Sequence, residues 1–271
     1  MKSIQLGVVQ ETLLLPLAAR AYDANTKHPI LNDKKALELF HQISDNKTYF
    51  KKYLSKVGIV AMCERALMMD SIIRNFIQKN PKGKILNIGV GLETAYYRLH
   101  QPNIAWYDLD LPDSILLREQ LLPNESKNVH YISKSMFDES WLNDIGDISN
   151  GLLITVPGVF PYFDETQVKH FFNTFAPKLK NAEIIFDVTS NMGRFFVGQR
   201  IKQAGMKSAT LDWGITNPKE IEKWNRHIEL VASHYFLQHP SFKQSKNIIE
   251  RWISWNNKFF KIGQLFHFKF I

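Results

Sequence analysis

The chain has 271 residues, of which 45% are hydrophobic and 13% aromatic, and its formal net charge is +8. This composition supplies enough apolar side chains for a buried core and excludes an intrinsically disordered chain. The single cysteine, Cys63, excludes a disulfide framework and a cysteine-based zinc site. Because no apolar run reaches the length of about 18 residues that a transmembrane helix needs, we predict no membrane span.

The positive charge is concentrated at the two ends of the chain. Residues 1–60 carry nine Lys or Arg and five Asp or Glu, and residues 219–271 carry nine and four. Such charges fit solvated helix faces, but they also fit a basic rim that attracts an anionic small molecule. The basic residues are dispersed and lack a base-stacking motif, so we expect no nucleic-acid partner. Residues 12–21 imitate a secretion signal, but the apolar part is short and follows Glu11, so we expect a cytoplasmic protein.

The apolar spacing in the first third of the chain is helical, and alternating strands and helices follow it. Helices are predicted over residues 10–24, 33–43 and 62–78. Strands are predicted at 84–88, 104–109, 129–132, 151–156 and 182–188, with helices at 93–99, 113–121 and from 164 to about 179. Repeated units of this kind predict an α/β fold with a doubly wound, mostly parallel sheet. Residues 230–238 and 264–270 alternate like strands and predict a final antiparallel pair.

A glycine turn lies between the strand Lys84–Ile88 and the helix that follows it. Gly89 and Gly91 allow a tight turn and the close approach of a ligand to the backbone. The next strand ends in Asp108-Leu109-Asp110, where a carboxylate can accept hydrogen bonds from ribose hydroxyls. A dinucleotide fingerprint would require a third glycine at Thr94, so a nucleoside ligand without phosphate fits better. S-adenosylmethionine (SAM) is the common ligand of this kind.

Several segments together resemble a known family. They are Glu11-Thr12-Leu13-Leu14, Leu86–Thr94 with Tyr97-Arg98-Leu99, Trp106–Pro112, Gly158-Val159-Phe160 and Trp213–Pro218. The chain resembles the leucine carboxyl methyltransferase family of class I SAM-dependent methyltransferases, and in particular its bacterial branch of tetracenomycin-type polyketide O-methyltransferases. The resemblance implies a Rossmann-like domain over residues 61–271 with a seven-stranded sheet and a terminal antiparallel strand. It also implies an N-terminal helical lid over residues 1–60.

The resemblance also implies the residues that bind the cofactor SAM. Arg65 would reach the methionine carboxylate, Gly89 and Gly91 would line the cofactor, and Asp110 would hold the ribose hydroxyls. Asp108 is the alternative ribose ligand, and one of the two aspartates would otherwise cap the next helix. Arg20 lies near a basic residue of the family's lid, although the spacing there is loose.

Three departures from the family pattern fall at this site. Glu93-Thr94-Ala95 replaces Asp-Thr-Arg, and Ser135-Met136 replaces Asp-Leu, although the hydroxyl and thioether can still contact an adenine. Val156-Pro157-Gly158 replaces Ala-Glu-Gly, which removes a carboxylate facing the cofactor. A member that has lost its activity is therefore an open alternative.

The chemistry expected is methyl transfer to the oxygen of a small molecule, either a carboxylate or a hydroxyl. A carboxylate acceptor needs no base, whereas a hydroxyl gains from one. None of the nine histidines lies at a motif spacing, so we assign no catalytic residue and no metal site. Tyr22, Trp213 and Phe195-Phe196 either line an apolar acceptor pocket or belong to the core. An isoelectric point near 9.4 keeps an RNA-binding alternative open.

Overall fold

The computed structural model describes residues 8–43, 54–123, 126–203, 210–236, 238–240, 248, 251 and 261–271. Its helices are α1 (Val8–Ala24), α2 (Lys34–Ile43), α3 (Lys56–Lys79), α4 (Ala95–Leu99), α5 (Pro112–Leu121), α6 (Trp141–Ile145), α7 (Glu165–Phe175), α8 (Asn191–Gln203) and α9 (Lys219–Glu222). Its strands are β1 (Lys84–Ile88), β2 (Ala105–Asp110), β3 (Val129–Ser133), β4 (Leu152–Val156), β5 (Glu183–Val188), β6 (Ile228–Tyr235) and β7 (Gln264–Phe270).

The seven strands form one sheet in the order β3-β2-β1-β4-β5-β7-β6. The first five are parallel, and β7 runs antiparallel to both β5 and β6. The predicted mostly parallel sheet with a terminal antiparallel strand is therefore confirmed, and β7 lies between β5 and β6. The strand order reverses between β1 and β4, so the carboxyl ends of these strands border the crevice where open α/β sheets bind ligands.

The sheet is buried on both faces because its central strands are apolar. Every residue of β4 is buried, as parallel strands covered by helices require. One face carries an aromatic core in which Phe186 stacks on Phe268 with ring centroids 5.8 Å apart, and Phe160 packs edge-on against Phe186. On the other face, Ile73 and Phe76 of α3 join the cluster that contains β1 and β4 side chains.

Two helices, α3 and α7, differ from their predicted bounds by more than the one or two residues seen at the other helix ends. Helix α3 begins at Lys56, earlier than predicted, because the Ser55 side chain accepts a hydrogen bond from the Gly58 N–H at 3.1 Å and caps the helix. Helix α7 begins with the predicted capping box of Asp164 and Gln167, but it ends at Phe175 and turns follow.

The N-terminal helices pack against the segment that follows β1. Leu17 of α1 and Phe40 of α2 form a buried cluster with Leu92, which lies directly after the glycine turn. Helix α1 also contacts α3. Helix α3 spans Lys56–Lys79 and therefore runs across the expected boundary between the N-terminal lid and the Rossmann-like domain, at residues 60 and 61. Among the described residues, no helix is both long enough and apolar enough to span a membrane.

Candidate cofactor site

The glycine turn lies at the carboxyl end of β1, beside β2. The Gly89 N–H donates to the Leu109 carbonyl at 2.8 Å, and Gly89 and Gly91 have φ angles of +65° and +45°. A Cβ on Gly91 would lie 2.6 Å from Leu13 Cδ2, and one on Gly89 would collide with Val159. The turn therefore requires glycine at both positions, because of the backbone conformation and because α1 and the loop after β4 approach it closely.

Asp110 joins this turn to the end of β2. Its carboxylate accepts hydrogen bonds from the Gly91 N–H and the Leu111 N–H, both at 2.7 Å. Burial raises the pKa of Asp110, and these two hydrogen bonds counteract part of that rise. Because each carboxylate oxygen has accepted one hydrogen bond, each can accept another from a ligand hydroxyl.

Asp108, the alternative ribose ligand, is fully buried and lies inside a hydrogen-bond network. It accepts from Asn87 Nδ2 at 2.8 Å, from Trp106 Nε1 at 3.1 Å and from Arg118 Nη2 at 2.8 Å. A carboxylate with this many donors around it is satisfied within the protein. The two aspartates therefore differ: Asp108 is bonded within the protein, whereas Asp110 lies at the edge of the sheet and keeps acceptor positions for a ligand.

Arg118 of α5 ties the glycine turn to the sheet. Besides its ion pair with Asp108, its Nη1 donates to the Gly91 carbonyl at 3.1 Å and to the Glu93 carbonyl at 2.8 Å. Asn87 continues the network on the other side, because the Thr155 hydroxyl donates to its side-chain carbonyl. Polar side chains of β4, β1 and β2 are thereby connected in one row near the carboxyl ends of these strands.

Arg65 and Asp187 meet at the carboxyl ends of β4 and β5. Arg65 Nη1 lies 3.1 Å from Asp187 Oδ2, and the Gly158 N–H donates to Asp187 Oδ1 at 2.5 Å. Gly158 has a φ of +68°, and a Cβ there would lie 2.9 Å from Arg65 Nη1. Pro157 lines a small cavity together with Arg65 and Glu93.

Arg20 belongs to a buried network of charged side chains that connects α1, α2, α3 and α4. It donates to Asp33 at 3.1 Å, to Glu93 at 3.0 Å and to the Leu92 carbonyl at 2.9 Å. Arg98 completes the network through hydrogen bonds to Asp33, Glu93 and Thr94 and two to Asp70. The guanidinium of Arg20 thus holds the residues that follow the glycine turn.

The remaining predicted residues lie farther along the sheet edge. Ser135 is half-buried in the turn after β3, where its hydroxyl accepts from the Phe137 N–H at 3.3 Å. Met136 is buried in the core, and its carbonyl accepts from Trp141 Nε1 at 3.1 Å. The Met136 side chain therefore packs with the protein's own aromatic residues.

The aromatic residues considered for an acceptor pocket divide between core and surface. Trp213 is buried beside Phe160, and Tyr22 packs edge-on against Phe40 at 5.5 Å. Phe195 is 63% exposed on α8, and the side chain of Phe196 lies outside the described residues. Of this set, only Phe195 is on the surface among the side chains that the structure describes.

Sequence reasoning missed the partners that hold the predicted residues in place. These are Asp33, Asp70, Asn87, Arg98, Arg118, Thr155 and Asp187. A signal was present for the three that lie in strands, Asn87, Thr155 and Asp187, because polar residues inside buried strands require hydrogen-bond partners. The signal gives no pairing, since the partners are 10 to 122 positions apart in the chain.

Sequence comparisons place the chain among methyltransferases. The tetracenomycin polyketide synthesis O-methyltransferase TcmP of Streptomyces glaucescens is 28% identical over 255 residues, which cover 93% of this chain and 92% of that protein. The S-adenosyl-L-methionine-dependent methyltransferase dpfgK of Gibberella zeae is 25% identical over 236 residues, which cover 81% and 79%.

Structural comparisons support the same fold. A DUF574 family protein from Streptomyces avermitilis superimposes with a TM-score of 0.59 at 13% identity, over 93% of this chain and 96% of the other. Magnesium protoporphyrin IX methyltransferase (ChlM) from Synechocystis PCC 6803 superimposes with a TM-score of 0.52 at 10% identity, over 88% and 100%. The family model for leucine carboxyl methyltransferase matches residues 14–176. The chain therefore belongs to the leucine carboxyl methyltransferase family and is a SAM-dependent methyltransferase.

Proposed function

We propose that this protein transfers the methyl group of SAM to a carboxylate or hydroxyl oxygen of a small molecule. The observation that carries the proposal is the Asp110 carboxylate, which two backbone N–H groups hold beside the glycine turn. This arrangement leaves acceptor positions on the carboxylate at the strand edge where α/β proteins bind nucleosides. The residues present fit SAM, because they supply a ribose acceptor, a close-approach turn and a cation.

Within this proposal, the predicted residues take different roles. Asp110 binds the ribose hydroxyls, the backbone of Gly89 and Gly91 lines the cofactor, and Arg65 binds its carboxylate. Ser135 and Pro157 border the two ends of the site. Asp108 and Arg20 act indirectly, because their polar atoms are bonded within the protein and hold the turn in shape. We further propose that residues 1–60 act as the lid, since Leu13 covers Gly91.

SAM would supply a methyl group on its sulfonium, which an acceptor oxygen attacks in line while S-adenosylhomocysteine is the leaving group. The protein's own contribution is alignment and the exclusion of water, which account for large rate factors in such reactions. No histidine lies in the described segments that connect β1, β4 and β5 to the helix that follows each of them. This favours an acceptor that is already ionised or acidic enough to ionise, such as a carboxylic acid or an acidic phenol.

Apolar side chains suit an aromatic acceptor at the β4 and β5 end of the crevice. Tyr162, Met192 and Phe195 are 36%, 43% and 63% exposed and belong to the segments that leave these two strands. Tyr162 is among the groups that raise the pKa of Arg65, which is consistent with a position near the proposed methionine end of the cofactor. An aromatic acceptor of polyketide type, which the name of the Streptomyces glaucescens relative indicates for that protein, has this chemistry.

Calorimetric titration with SAM and S-adenosylhomocysteine tests cofactor binding. Asp110→Ala should weaken binding by about 150-fold or more, because each of two hydrogen bonds from ribose to a carboxylate contributes about 1.5–3 kcal/mol. Asp113→Ala is the matched control, since this exposed carboxylate lies one turn away and bonds only to the Ser114 N–H among the described residues. Absence of binding by the wild-type protein would contradict the proposal and support a non-catalytic member.

A panel of aromatic carboxylic acids and phenols then tests the acceptor class. Mild alkali hydrolyses a methyl ester and leaves a methyl aryl ether intact, so the product identifies the oxygen that was methylated. Turnover of neither class, together with RNA binding that weakens with salt, would favour the RNA-binding alternative.

A further inference from the structure

The carboxylate of Asp187 lies beside the position where β4 ends in a proline. In the β4–β5 register Val156 pairs with Phe186, so the next residues, Pro157 and Asp187, are neighbours at the sheet edge. The Pro157 side chain offers no hydrogen-bond acceptor. Asp187 therefore supplies a negative charge at this part of the crevice.

Arg65 and Asp187 form an ion pair that retains binding capacity. Only Arg65 Nη1 contacts Asp187, at 3.1 Å, and Arg65 makes no other hydrogen bond to the residues that the structure describes. Asp187 accepts one hydrogen bond on each oxygen, from Arg65 and from the Gly158 N–H. The guanidinium has five N–H donors and each carboxylate oxygen has two lone pairs, so both groups can bind a further partner.

The two side chains lie side by side with opposite charges, and both are largely buried. Their side chains are 14% and 12% exposed. An α-amino acid presents a carboxylate and an ammonium on one carbon, and this ligand matches an adjacent cation and anion. Partial burial strengthens both contacts relative to water.

Two other carboxylates, Glu93 and Asp70, line the small cavity beside Arg65 and Pro157, and both are less available to a ligand than Asp187. Glu93 accepts from Arg20, from Arg98 and from the Thr94 N–H. Asp70 accepts two hydrogen bonds from Arg98, at 2.9 Å each. These bonds hold both groups in the buried network that connects the N-terminal helices to α4. Asp187, in contrast, accepts a hydrogen bond from only one arginine among the described residues, Arg65.

We propose that Asp187 is a cofactor-binding residue that accepts a hydrogen bond from the α-ammonium group of SAM, while Arg65 binds the α-carboxylate. This inference rests on the proposed function. The Gly158 N–H donates to the Asp187 carboxylate and thereby fixes its orientation. The same hydrogen bond holds the loop after β4 against the end of β5. Asp187 thereby recognises the amino acid end of the cofactor, and Asp110 recognises the ribose.

The test compares two ligands that differ at this end only. S-adenosylhomocysteine carries the amino acid group, and 5′-methylthioadenosine lacks it. Asp187→Asn should weaken the binding of S-adenosylhomocysteine by about 30-fold, the effect of one charge-assisted hydrogen bond, and leave 5′-methylthioadenosine binding within about 2-fold. Glu183→Gln is the control, because Glu183 is on the same strand at its opposite end and pairs with His267. It should change neither affinity.

Equal weakening of both ligands, or no weakening of S-adenosylhomocysteine, would overturn the inference. A wild-type protein that binds neither ligand would instead overturn the proposed function, so the two failures are distinguishable. If Asp187→Asn does not fold, the wild-type protein supplies a second measurement. S-adenosylhomocysteine without its amino group should bind about 30-fold more weakly than the parent compound, and equal affinity would overturn the inference.

Discussion

The buried pair of Asp108 and Arg118 allows a quantitative test of how the glycine turn is held. Their side chains are 0% and 2% exposed, and Arg118 also donates to the carbonyls of Gly91 and Glu93. Removal of one partner of a buried ion pair leaves an uncompensated charge and costs about 3–5 kcal/mol. We therefore expect Asp108→Asn and Arg118→Met each to lower the free energy of unfolding by about 3–5 kcal/mol.

The double variant Asp108→Asn/Arg118→Met measures the interaction energy between the two side chains apart from their contacts with other residues. Because it leaves no unpaired charge, its loss of stability should be about 2–3 kcal/mol smaller than the sum of the two single losses. Urea unfolding followed by tryptophan fluorescence measures all four proteins. The same cycle on the half-exposed pair of Lys134 and Asp144 is the control, and its coupling should stay below about 1 kcal/mol. Additive losses at Asp108 and Arg118 would refute this account of the turn.

Two further predictions follow from pKa values. Burial raises the pKa of Cys63 to about 12, so iodoacetamide at pH 8.5 should alkylate the thiol only after unfolding by urea. Labelling of the folded protein at the rate of the unfolded chain would contradict this. Burial alone would raise the pKa of Glu93, but Arg20 and Arg98 lower it below the ordinary value of 4.5. The ionised Glu93 side chain therefore contributes fully to the free energy of unfolding above pH 4.5, and this contribution is lost as the pH falls below that value. The stability difference between wild type and Glu93→Gln should narrow between pH 6 and pH 3 in urea titrations, whereas a constant difference would contradict the assigned charges.

The sheet and the glycine turn could be predicted because their signals are local. A strand of apolar residues, two glycines and a helix start are adjacent in the sequence, and Asp110 follows at the end of the next strand. The position of β7 between β5 and β6 could not be predicted in the same way, because residues 230–238 and 264–270 have the same alternating pattern. Such a pattern shows that two strands exist but leaves their order open.

The family resemblance favoured Asp110 over Asp108 as the ribose ligand, but no local feature of the sequence distinguished the two, for a related reason. Both follow the apolar start of β2, and either can accept a hydrogen bond from a ribose. What separates them is Arg118, ten residues after Asp108, whose guanidinium is directed inward to the sheet. A helix residue of this type is usually on the surface, so only the tertiary structure identifies it as a buried partner.

The polar residues of the central strands give a more general account of this site. Apart from the charged first residues Lys84 and Glu183, the polar residues of β1, β2, β4 and β5 lie toward the carboxyl ends of the strands. They include Asn87, Asp108, Thr155 and Asp187. A polar group in a buried strand destabilises the fold unless it is bonded, so four such residues at one edge indicate a network or a ligand. Three of the four bond to one another and form the row beneath the glycine turn. Asp187 lies beyond this row and pairs with Arg65 instead, so its carboxylate keeps the acceptor positions that we propose for the α-ammonium group of SAM.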